Sequence, residues 1–371
     1  ADKNALSWRG EKGEQLSLTY AQLDDLAGRL AAGLRRLGIG SGDVVAIYLP
    51  NIPEAVVALL AVPKIGAIAL PLFSGFGADA VVTRLNDAKA KAVITVDGSY
   101  RRGRLVPSKS VIDEARRNVP SLATVIVCHR ADAPMQWNPT VDHHWRDVTA
   151  DIAGDRTTLA VEADTPFLLV YTSGTTGKPK GVVHTHCGFP VKTMLDLGIC
   201  MDFKAADRIL WMSDMGWLVG PMLVYGTTLM GGTMVLAEGT PDYPRADRLW
   251  QLVAEEQITY LGIAPTIARG FMADPAFDAG RYDLSSLRIF VSTGEAWTPE
   301  SWLWLFEVIG KRRLPILNFS GGTEMGGILS SVVTHPIKVG SFTRPVPGTD
   351  AAIFDEAGCE APLGAGRVPV S

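Results

Sequence analysis

A dense group of small, hydroxyl-bearing and basic residues lies between Tyr171 and Gly181. These eleven positions hold three glycines, four Ser or Thr hydroxyls and two lysines. Glycine lets backbone N–H groups approach an anion without an intervening Cβ, hydroxyls add rotatable donors, and lysines add positive charge. A turn that only reverses the chain needs one or two special residues. The pattern therefore predicts a polyphosphate-binding loop, with candidate contacts at Thr172, Ser173, Gly174, Thr175, Thr176, Gly177, Lys178 and Lys180.

This segment differs from a Walker loop in both its position and its sequence. Apolar residues at 167–170 and 182–183 predict buried strands on both sides, so the loop joins two strands and does not open a helix. A Walker loop also has glycine five positions before its Gly-Lys pair and Ser or Thr after the lysine. Thr172 and Pro179 occupy those positions here. The sequence thus favours phosphate binding by another arrangement.

A second glycine-rich segment, 318–327, follows a predicted strand at 314–317. Open α/β sheets usually bind ligands at the carboxyl ends of their strands. Thr323 offers a hydroxyl donor for a phosphate, and Glu324 offers a carboxylate oxygen of the kind that Mg²⁺ prefers. Taken alone, the segment also fits a surface turn with an incidental glutamate. Its occurrence together with the lysine-bearing loop favours an ATP-dependent ligase.

The two segments together resemble the nucleotide signatures of the adenylate-forming, or AMP-binding, superfamily. That superfamily includes acyl-CoA synthetases, luciferases and the adenylation domains of peptide synthetases. The resemblance covers nearly the whole chain and is closest to acetyl-CoA synthetase-like and medium-chain acyl-CoA synthetases. It implies that a carboxylate attacks the α-phosphorus of ATP and that the thiol of CoA then displaces AMP. It also implies ATP, Mg²⁺ and CoA as cofactors, Lys178, Thr323 and Glu324 as catalytic residues, and Glu324 as the metal ligand.

The resemblance further implies sites for adenine and for the acyl group. The turn Gly294, Glu295 and Ala296 corresponds to the adenine turn of these enzymes, with Ala296 where proline is common. The opposite side of the nucleotide would be covered by Asn318, Phe319, Ser320, Gly321, Gly322 and Thr323. The expected walls of the acyl pocket are Trp217, Val219, Thr293 and Gly321. By residue type alone, core packing is the more frequent role of a tryptophan.

The expected acid is larger than acetate. In acetyl-CoA synthetases two adjacent tryptophans occupy the positions of Ser320 and Gly321, and the second is the floor of a two-carbon pocket. Replacing an indole by hydrogen predicts room for several methylenes, each stabilising the bound acid by about 0.8 kcal/mol. The sequence therefore predicts a medium-chain, branched or cyclic carboxylate.

A basic turn at 100–104 parallels the arginines that meet CoA phosphates in acetyl-CoA synthetase, and the segment 72–76 resembles the loop beside the CoA adenine. The implied CoA contacts are Phe73, Ser74, Gly75, Arg101 and Arg104. By residue type alone, a solvated basic loop fits equally well. Two other functions also stay open: an adenylation domain that loads a carrier protein, and a non-catalytic module that binds nucleotide or acyl groups.

The composition predicts a globular protein with a large core. The 371 residues are 47% hydrophobic and carry a formal charge of −4, which gives no general attraction to nucleic acid or to acidic membranes. The four cysteines are widely spaced, which predicts reduced, mostly buried thiols in a cytoplasmic protein. Neither a membrane-spanning segment nor a signal peptide is indicated. The oligomeric state is not predicted.

The pattern of elements predicts an α/β fold with two helix-flanked, largely parallel sheets packed together, plus the start of a small β-barrel. A capping box at Thr19 begins a long amphipathic helix that ends at Gly38. Alternating strands and helices follow, with strands at 44–49, 67–71, 92–96 and 124–128 and helices at 53–65 and 78–87. A second series has strands near 167, 209, 233, 260, 289 and 316 and helices at 245–256 and 299–310.

Three regions are predicted: a first α/β subdomain at 1–160, a second at 161–333 with the nucleotide and acyl sites, and a β-barrel start at 334–371. The resemblance implies a ribose-binding aspartate, a hinge and a small C-terminal lid domain beyond these. None of them is visible before Ser371. We therefore expect a chain without the lid domain that adenylates poorly by itself.

Overall fold

The structure is a computed structural model that describes residues 2–150, 154–172, 177–352 and 354–360. The strands in these residues are β1 (Asn4–Arg9), β2 (Gln15–Thr19), β3 (Val44–Tyr48), β4 (Ile68–Pro71), β5 (Ala92–Val96), β6 (Ser99–Arg101), β7 (Arg104–Val106), β8 (Thr124–Cys128), β9 (Asp142–His144), β10 (Pro166–Thr172), β11 (Lys180–Thr185), β12 (Arg208–Trp211), β13 (Thr233–Ala237), β14 (Tyr260–Gly262), β15 (Ile289–Ser292), β16 (Ile316–Gly322), β17 (Gly326–Ser330) and β18 (Arg344–Pro345).

The helices surround these strands. They are α1 (Tyr20–Arg36), α2 (Pro53–Lys64), α3 (Ala78–Asp87), α4 (Ser108–Arg116), α5 (Trp145–Val148), α6 (Gly188–Met194), α7 (Val219–Leu229), α8 (Arg248–Glu255), α9 (Pro265–Met272) and α10 (Pro299–Trp304). Two of them continue with wider, π-helical turns, α6 through Leu195–Cys200 and α10 through Leu305–Ile309. None of the helices in the described ranges has the length and hydrophobicity that crossing a membrane requires.

Two mainly parallel sheets form the framework. The seven-stranded sheet has the order β11-β10-β4-β3-β5-β8-β9, and the nine-stranded sheet has the order β18-β17-β16-β15-β14-β12-β13-β1-β2. Antiparallel pairing occurs towards the edges, between β10 and β11, β1 and β2, β16 and β17, and β17 and β18. The prediction of an α/β fold with two helix-flanked, largely parallel sheets is confirmed.

Helix α1 begins where the sequence predicted. The hydroxyl of Thr19 accepts from the backbone N–H of Gln22, and the Gln22 side chain accepts from the backbone N–H of Thr19. This reciprocal capping satisfies two donors around the helix start. Leu23, Leu30 and Leu34 are buried on the face that packs into the core, while basic residues lie in the last turn. The helix therefore buries one apolar stripe against the framework.

Each sheet contains strands from both sides of the predicted boundary near residue 160. Strand β1 pairs in parallel with β13, with Leu6 opposite Met234, so the beginning of the chain belongs to the nine-stranded sheet. Hairpin β10–β11 instead completes the seven-stranded sheet through β4. Strands β1 and β2 were missing from the predicted pattern. The parallel partner of β1 lies more than two hundred residues away, and local periodicity does not indicate such a partner. The three-region division itself stays a prediction.

The region after residue 333 adds little regular structure in the described ranges. Strand β18 extends the nine-stranded sheet through β17, and Phe354 forms an isolated bridge with Glu360. The predicted barrel region, 334–371, includes Ile353 and residues 361–371, which lie outside the described ones. The barrel therefore stays a prediction.

The cysteines are distributed differently from the prediction of mostly buried thiols. Cys128 and Cys200 are buried, whereas Cys187 and Cys359 are exposed, and all four are free. The prediction of reduced thiols fits this pattern, but the prediction of burial holds for only two of them. Cys187 is exposed at the N-cap position of α6.

Candidate active site

The lysine-bearing loop joins two antiparallel strands, as predicted. Thr172, the last residue of β10, lies opposite Lys180, the first residue of β11. Gly177 has φ +86°, a conformation that favours glycine. Lys178 and Lys180 are exposed, and neither side chain has a hydrogen-bonding or ionic partner among the described residues. Two unpaired cations thus lie at the end of this hairpin; the predicted contacts Ser173, Gly174, Thr175 and Thr176 lie outside the described residues.

The second glycine-rich segment is also a hairpin. Strands β16 and β17 pair up to Gly322 and Gly326, which leaves Thr323, Glu324 and Met325 as the connection. Thr323 is half-buried and Glu324 is exposed. The structure therefore presents a hydroxyl and a carboxylate side by side at the tip of the hairpin.

An ion pair between the half-buried Lys192 of α6 and the buried Asp196 of its extension holds this second hairpin in place. The Oδ2 of Asp196 accepts the backbone N–H of Gly327 at 2.9 Å, and the Nζ of Lys192 donates to the Gly327 carbonyl at 2.8 Å. Lys192 also donates to Asp196. Burial raises the pKa of Asp196, although its hydrogen bonds with Lys192 and Gly327 act in the opposite direction. The sequence analysis missed this pair, whose only local signal is the i,i+4 spacing of a lysine and an aspartate.

The loop before α7 is fastened to the loop after β4. The carboxylate of Asp214 accepts from the Ser74 hydroxyl at 2.5 Å and from the backbone N–H of Gly216 at 2.8 Å. A Cβ on Gly216 would lie 2.1 Å from the backbone nitrogen of Phe73, so only glycine permits this approach. Trp217 is exposed and its ring lies 5.5 Å from that of Phe73. The predicted acyl and CoA loops therefore share one packed boundary.

One cavity of about 610 Å³ collects many of the predicted site residues. Its lining includes the predicted residues Phe73, Ser74, Gly75, Arg101, Trp217, Val219, Thr293, Gly294, Phe319, Gly321, Gly322 and Thr323. It does not include Lys178, Lys180, Glu295, Ala296, Asn318, Ser320, Glu324 or Arg104. Predicted residues from five separate parts of the chain therefore meet at this cavity.

The predicted adenine turn follows β15. Gly294 has φ +88°, and Gly294 to Ala296 are exposed. The carboxylate of Glu295 accepts from the Arg269 guanidinium at 3.0 Å. Since Arg269 engages that side chain, the turn offers its backbone to a ligand. Beside it, Asn318 is 3% exposed, and its side-chain oxygen has no hydrogen-bond partner among the described residues.

The arginine turn connects β6 and β7. Arg101 and Arg104 face each other across the pair, and Arg102 donates to Asp242 at 2.6 Å. Arg101 and Arg104 are exposed and form no ion pair in the described parts of the chain. The two arginines predicted to meet CoA are therefore without a salt bridge in these ranges. Burial raises the pKa of the Asp214 carboxylate, and the charge of Arg101 acts on it in the opposite direction.

His184, the second-last residue of β11, is buried and lies close to Thr323 of the second hairpin. Burial lowers the pKa of this imidazole, while a hydrogen bond with Thr323 and the charge of Glu324 act in the opposite direction. Its Nε2 has no hydrogen-bond partner among the described residues. The sequence analysis did not identify this histidine as part of the site, because the proximity to Thr323 arises only when the hairpins come together.

The space next to Gly321 is not an empty extension of the cavity. A Cβ at Gly321 would lie 1.8 Å from the carbonyl oxygen of Gly326 on the returning strand. The space in that direction is therefore filled by the hairpin itself, and a large side chain at 321 would require the hairpin to move. The size of the acyl pocket accordingly depends on the remaining lining, which includes Trp211, Met222 and Phe319.

Comparison with known proteins identifies the family. The sequence profile described as AMP-binding enzyme matches residues 1–368. The chain belongs to the AMP-binding enzyme family. It is 40% identical over 368 residues to the acetyl-coenzyme A synthetase of Rhodopirellula baltica, covering 96% of this chain and 54% of the relative. It is also 40% identical over 369 residues to that of Streptomyces avermitilis, covering 98% of this chain and 57% of the relative.

A solved structure is similar across the same region. The acetoacetyl-CoA synthetase from Streptomyces lividans superimposes with a TM-score of 0.90 at 32% identity, covering 97% of this chain and 55% of that one. The chain thus spans a little over half the length of these relatives. The expected resemblance to acetyl-CoA synthetase-like proteins is confirmed.

Proposed function

We propose that the complete polypeptide containing this chain is an AMP-forming acyl-CoA synthetase. The observation that carries the proposal is the shared cavity, because its lining combines candidate contacts for three substrates. These are Gly294 and Gly322 for the nucleotide, Trp217 and Val219 for the acid, and Ser74 and Arg101 for CoA. A cavity of about 610 Å³ is within the range of ordinary small-molecule sites.

The first half-reaction joins two anions, so its demand is charge neutralisation. Lys178 and Lys180 supply unpaired positive charge at the end of hairpin β10–β11. Thr323 supplies a hydroxyl donor for the α-phosphate. Such groups act where negative charge develops on the phosphates. The carboxylate of the acid is itself the nucleophile, so no general base is required.

The residues fit a bound Mg²⁺. Glu324 is exposed at a hairpin tip and has no ionic partner among the described residues, so its carboxylate is available as a hard oxygen ligand with room for waters. When bound there, Mg²⁺ would supply further charge neutralisation on the phosphates. Glu324 would hold the ion, and the Lys192–Asp196 pair would keep its hairpin in place.

The second half-reaction needs a thiol to reach the acyl-adenylate. The loop 73–75 contacts the loop before α7 at Trp217. We therefore place the entry of the thiol-bearing arm of CoA there. The free guanidinium groups of Arg101 and Arg104 would bind its phosphates, since arginine forms charge-assisted pairs with phosphate. An adenylation domain that loads a carrier protein would have no such use for these arginines.

The proposed acid is larger than acetate. The support is a lining rich in apolar groups, which includes Trp211, Met222 and Phe319. Pyrophosphate release from the complete polypeptide, measured with acids from acetate to decanoate and with benzoate, tests the size. A higher kcat/KM for acetate than for butyrate and hexanoate would show that the proposed size is wrong.

Product analysis tests the function itself. With acid, ATP and CoA, we expect acyl-CoA and AMP, and we expect Glu324→Gln to abolish both while Glu307→Gln does not. Glu307 is a matched control, because it is a partly exposed glutamate that pairs with Arg312 away from the cavity. Acylation of a phosphopantetheinylated carrier in place of CoA would favour a carrier-loading domain. Binding of ATP without pyrophosphate release for any acid would indicate a non-catalytic module.

A further inference from the structure

A buried carboxylate lies beneath the arginine turn. Glu11 belongs to the loop between β1 and β2, and only 4% of its surface is exposed. Its two oxygens accept separate backbone hydrogen bonds, Oε2 from the N–H of Arg102 at 3.0 Å and Oε1 from the N–H of Gly103 at 2.7 Å. The Glu11 carboxylate therefore binds the backbone of the turn, and its hydrogen bonds do not involve the arginine side chains.

The conformation of the turn explains why a carboxylate fits there. Arg102 has φ +52° and Gly103 has φ +72°, and the pair connects the opposed residues Arg101 and Arg104. Positive φ at both central residues is typical of a two-residue type I′ hairpin turn. Successive backbone N–H groups of a turn form a concave donor site for an anion. The Glu11 carboxylate fills this donor site. Because Glu11 lies between β1 and β2, it attaches the turn to the nine-stranded sheet.

Neighbours of Glu11 reinforce the same attachment. The Nζ of Lys12 lies 3.6 Å from the ring centroid of Tyr100, the residue before Arg101. On its other side, Gly239 approaches so closely that a Cβ there would lie 2.2 Å from Oε2 of Glu11. Gly239 also lines the cavity. The loop carrying Glu11 thus links the arginine turn to a wall of the site.

This attachment orients the arginines without neutralising them. Arg102, the central cation, is paired with Asp242. The flanking cations Arg101 and Arg104 form no salt bridge among the described residues. Both oxygens of Glu11 accept hydrogen bonds from backbone N–H groups. The hairpin therefore presents two guanidinium groups without salt bridges, on a backbone that the hydrogen bonds to Glu11 hold in one conformation.

We propose that Glu11 is a positioning residue for the acyl-transfer half-reaction, which fixes the turn so that Arg101 and Arg104 face the phosphates of CoA. The proposal rests on the proposed acyl-CoA synthetase function. Glu11 itself touches no substrate, and its removal leaves the nucleotide hairpins intact. Its loss therefore weakens CoA binding and leaves acyl-adenylate formation unchanged.

The test compares two activities in the complete native polypeptide: the KM for CoA in thioester formation, and acid-dependent exchange of pyrophosphate into ATP, which needs no CoA. Glu11→Ala should raise the KM for CoA by about tenfold or more, since a misplacement of about 1 Å costs up to about a hundredfold. Glu11→Gln should raise it less, because one acceptor oxygen remains. Pyrophosphate exchange should stay at the wild-type level in both.

Two further variants separate the possible explanations. The double variant Arg101→Ala/Arg104→Ala should raise the KM for CoA by itself; an unchanged value would refute the CoA site and, with it, the proposed role of Glu11. The control Arg102→Asn keeps the backbone N–H and tolerates positive φ, and it removes only the guanidinium bound to Asp242. We expect its KM for CoA to stay near the wild-type value.

Three outcomes would overturn the positioning role while the CoA site stands. One is a raised KM in the arginine double variant with no change in either Glu11 variant. Another is an equal loss of exchange and of thioester formation in Glu11→Ala and Glu11→Gln, which would indicate a role in general stability. The third is measured by hydrogen exchange. We expect the amides of the peptide 99–106 to exchange faster in Glu11→Gln than in the wild type. Unchanged protection there would refute the attachment even if Glu11→Ala fails to fold.

Discussion

Replacing Lys192 by methionine tests the anchoring of the hairpin that carries Thr323 and Glu324. The substitution removes one hydrogen bond to the Gly327 carbonyl and leaves Asp196, whose side chain is 2% exposed, without its counter-ion. Removing one partner of a fully buried pair costs about 3–5 kcal/mol. Since the Lys192 side chain is 25% exposed, water compensates in part, and we expect a loss of about 2 kcal/mol in unfolding free energy.

The loss should depend on pH in a defined direction. Burial raises the pKa of Asp196, and Lys192 opposes that rise, so the pKa should increase further in Lys192→Met. A carboxyl group whose folded-state pKa is raised stabilises the fold below its unfolded value of about 3.9 and loses that contribution as the pH rises through the folded-state value. The variant should therefore resemble the wild type most closely under acidic conditions and least closely at neutral pH. Urea unfolding at several pH values measures this difference.

A second substitution separates stability from positioning. In Lys192→Met/Asp196→Leu the buried charge is gone, so stability should recover in part. Neither variant anchors Gly327 fully, so acid-dependent pyrophosphate exchange should stay low in both. The control Lys204→Met removes an exposed cation near Asp202 and should change stability by less than about 0.5 kcal/mol. Wild-type exchange activity in Lys192→Met, or full recovery of activity in the double variant, would refute the reasoning.

Three other perturbations have defined outcomes. Thr19→Ala removes the capping hydroxyl of α1 and should lower the unfolding free energy by about 1 kcal/mol in urea titrations; no change would contradict the role of the cap. Burial lowers the pKa of His184, so its contribution to stability should be lost as the pH falls below about 6.5. His184→Gln should show a smaller loss of stability over that range, and an equal loss would contradict this account. Trp217→Ala removes the ring packed on Phe73 and should shift kcat/KM for pyrophosphate release towards larger acids; an unchanged ranking of acids would exclude Trp217 from the pocket.

Elements with local signals were predictable from the sequence. The capping box of α1, the helix at 78–87 and the strands at 92–96 and 124–128 occur at the predicted residues. In each case the determining interactions lie within a few positions: a cap, a helical stripe or a continuous apolar run. The helix predicted at 299–310 was correct in extent, but it changes to a π-helical form after Trp304.

Long-range partners were not predictable in this way. The pairing of β1 with β13 joins residues such as Leu6 and Met234, and the hydrogen bonds of Glu11 reach Arg102 and Gly103. Each depends on how the two sheets come together, and a single sequence records neither partner. The residue types at the glycine-rich segments predicted anion binding. The assignment of adenine, acid and CoA to particular residues came from the family resemblance, and it stays a prediction.

The central claim is that the two glycine-rich hairpins hold ATP while its α-phosphorus is attacked by a carboxylate. The most direct measurement is to incubate the complete polypeptide with ATP, Mg²⁺ and a preferred acid in the absence of CoA, and to identify the products by mass spectrometry. We expect enzyme-bound acyl-AMP and an equal amount of pyrophosphate, with acyl-CoA and AMP appearing when CoA is added. Formation of ADP and phosphate, or binding of ATP with no acyl-AMP for any acid, would contradict the claim.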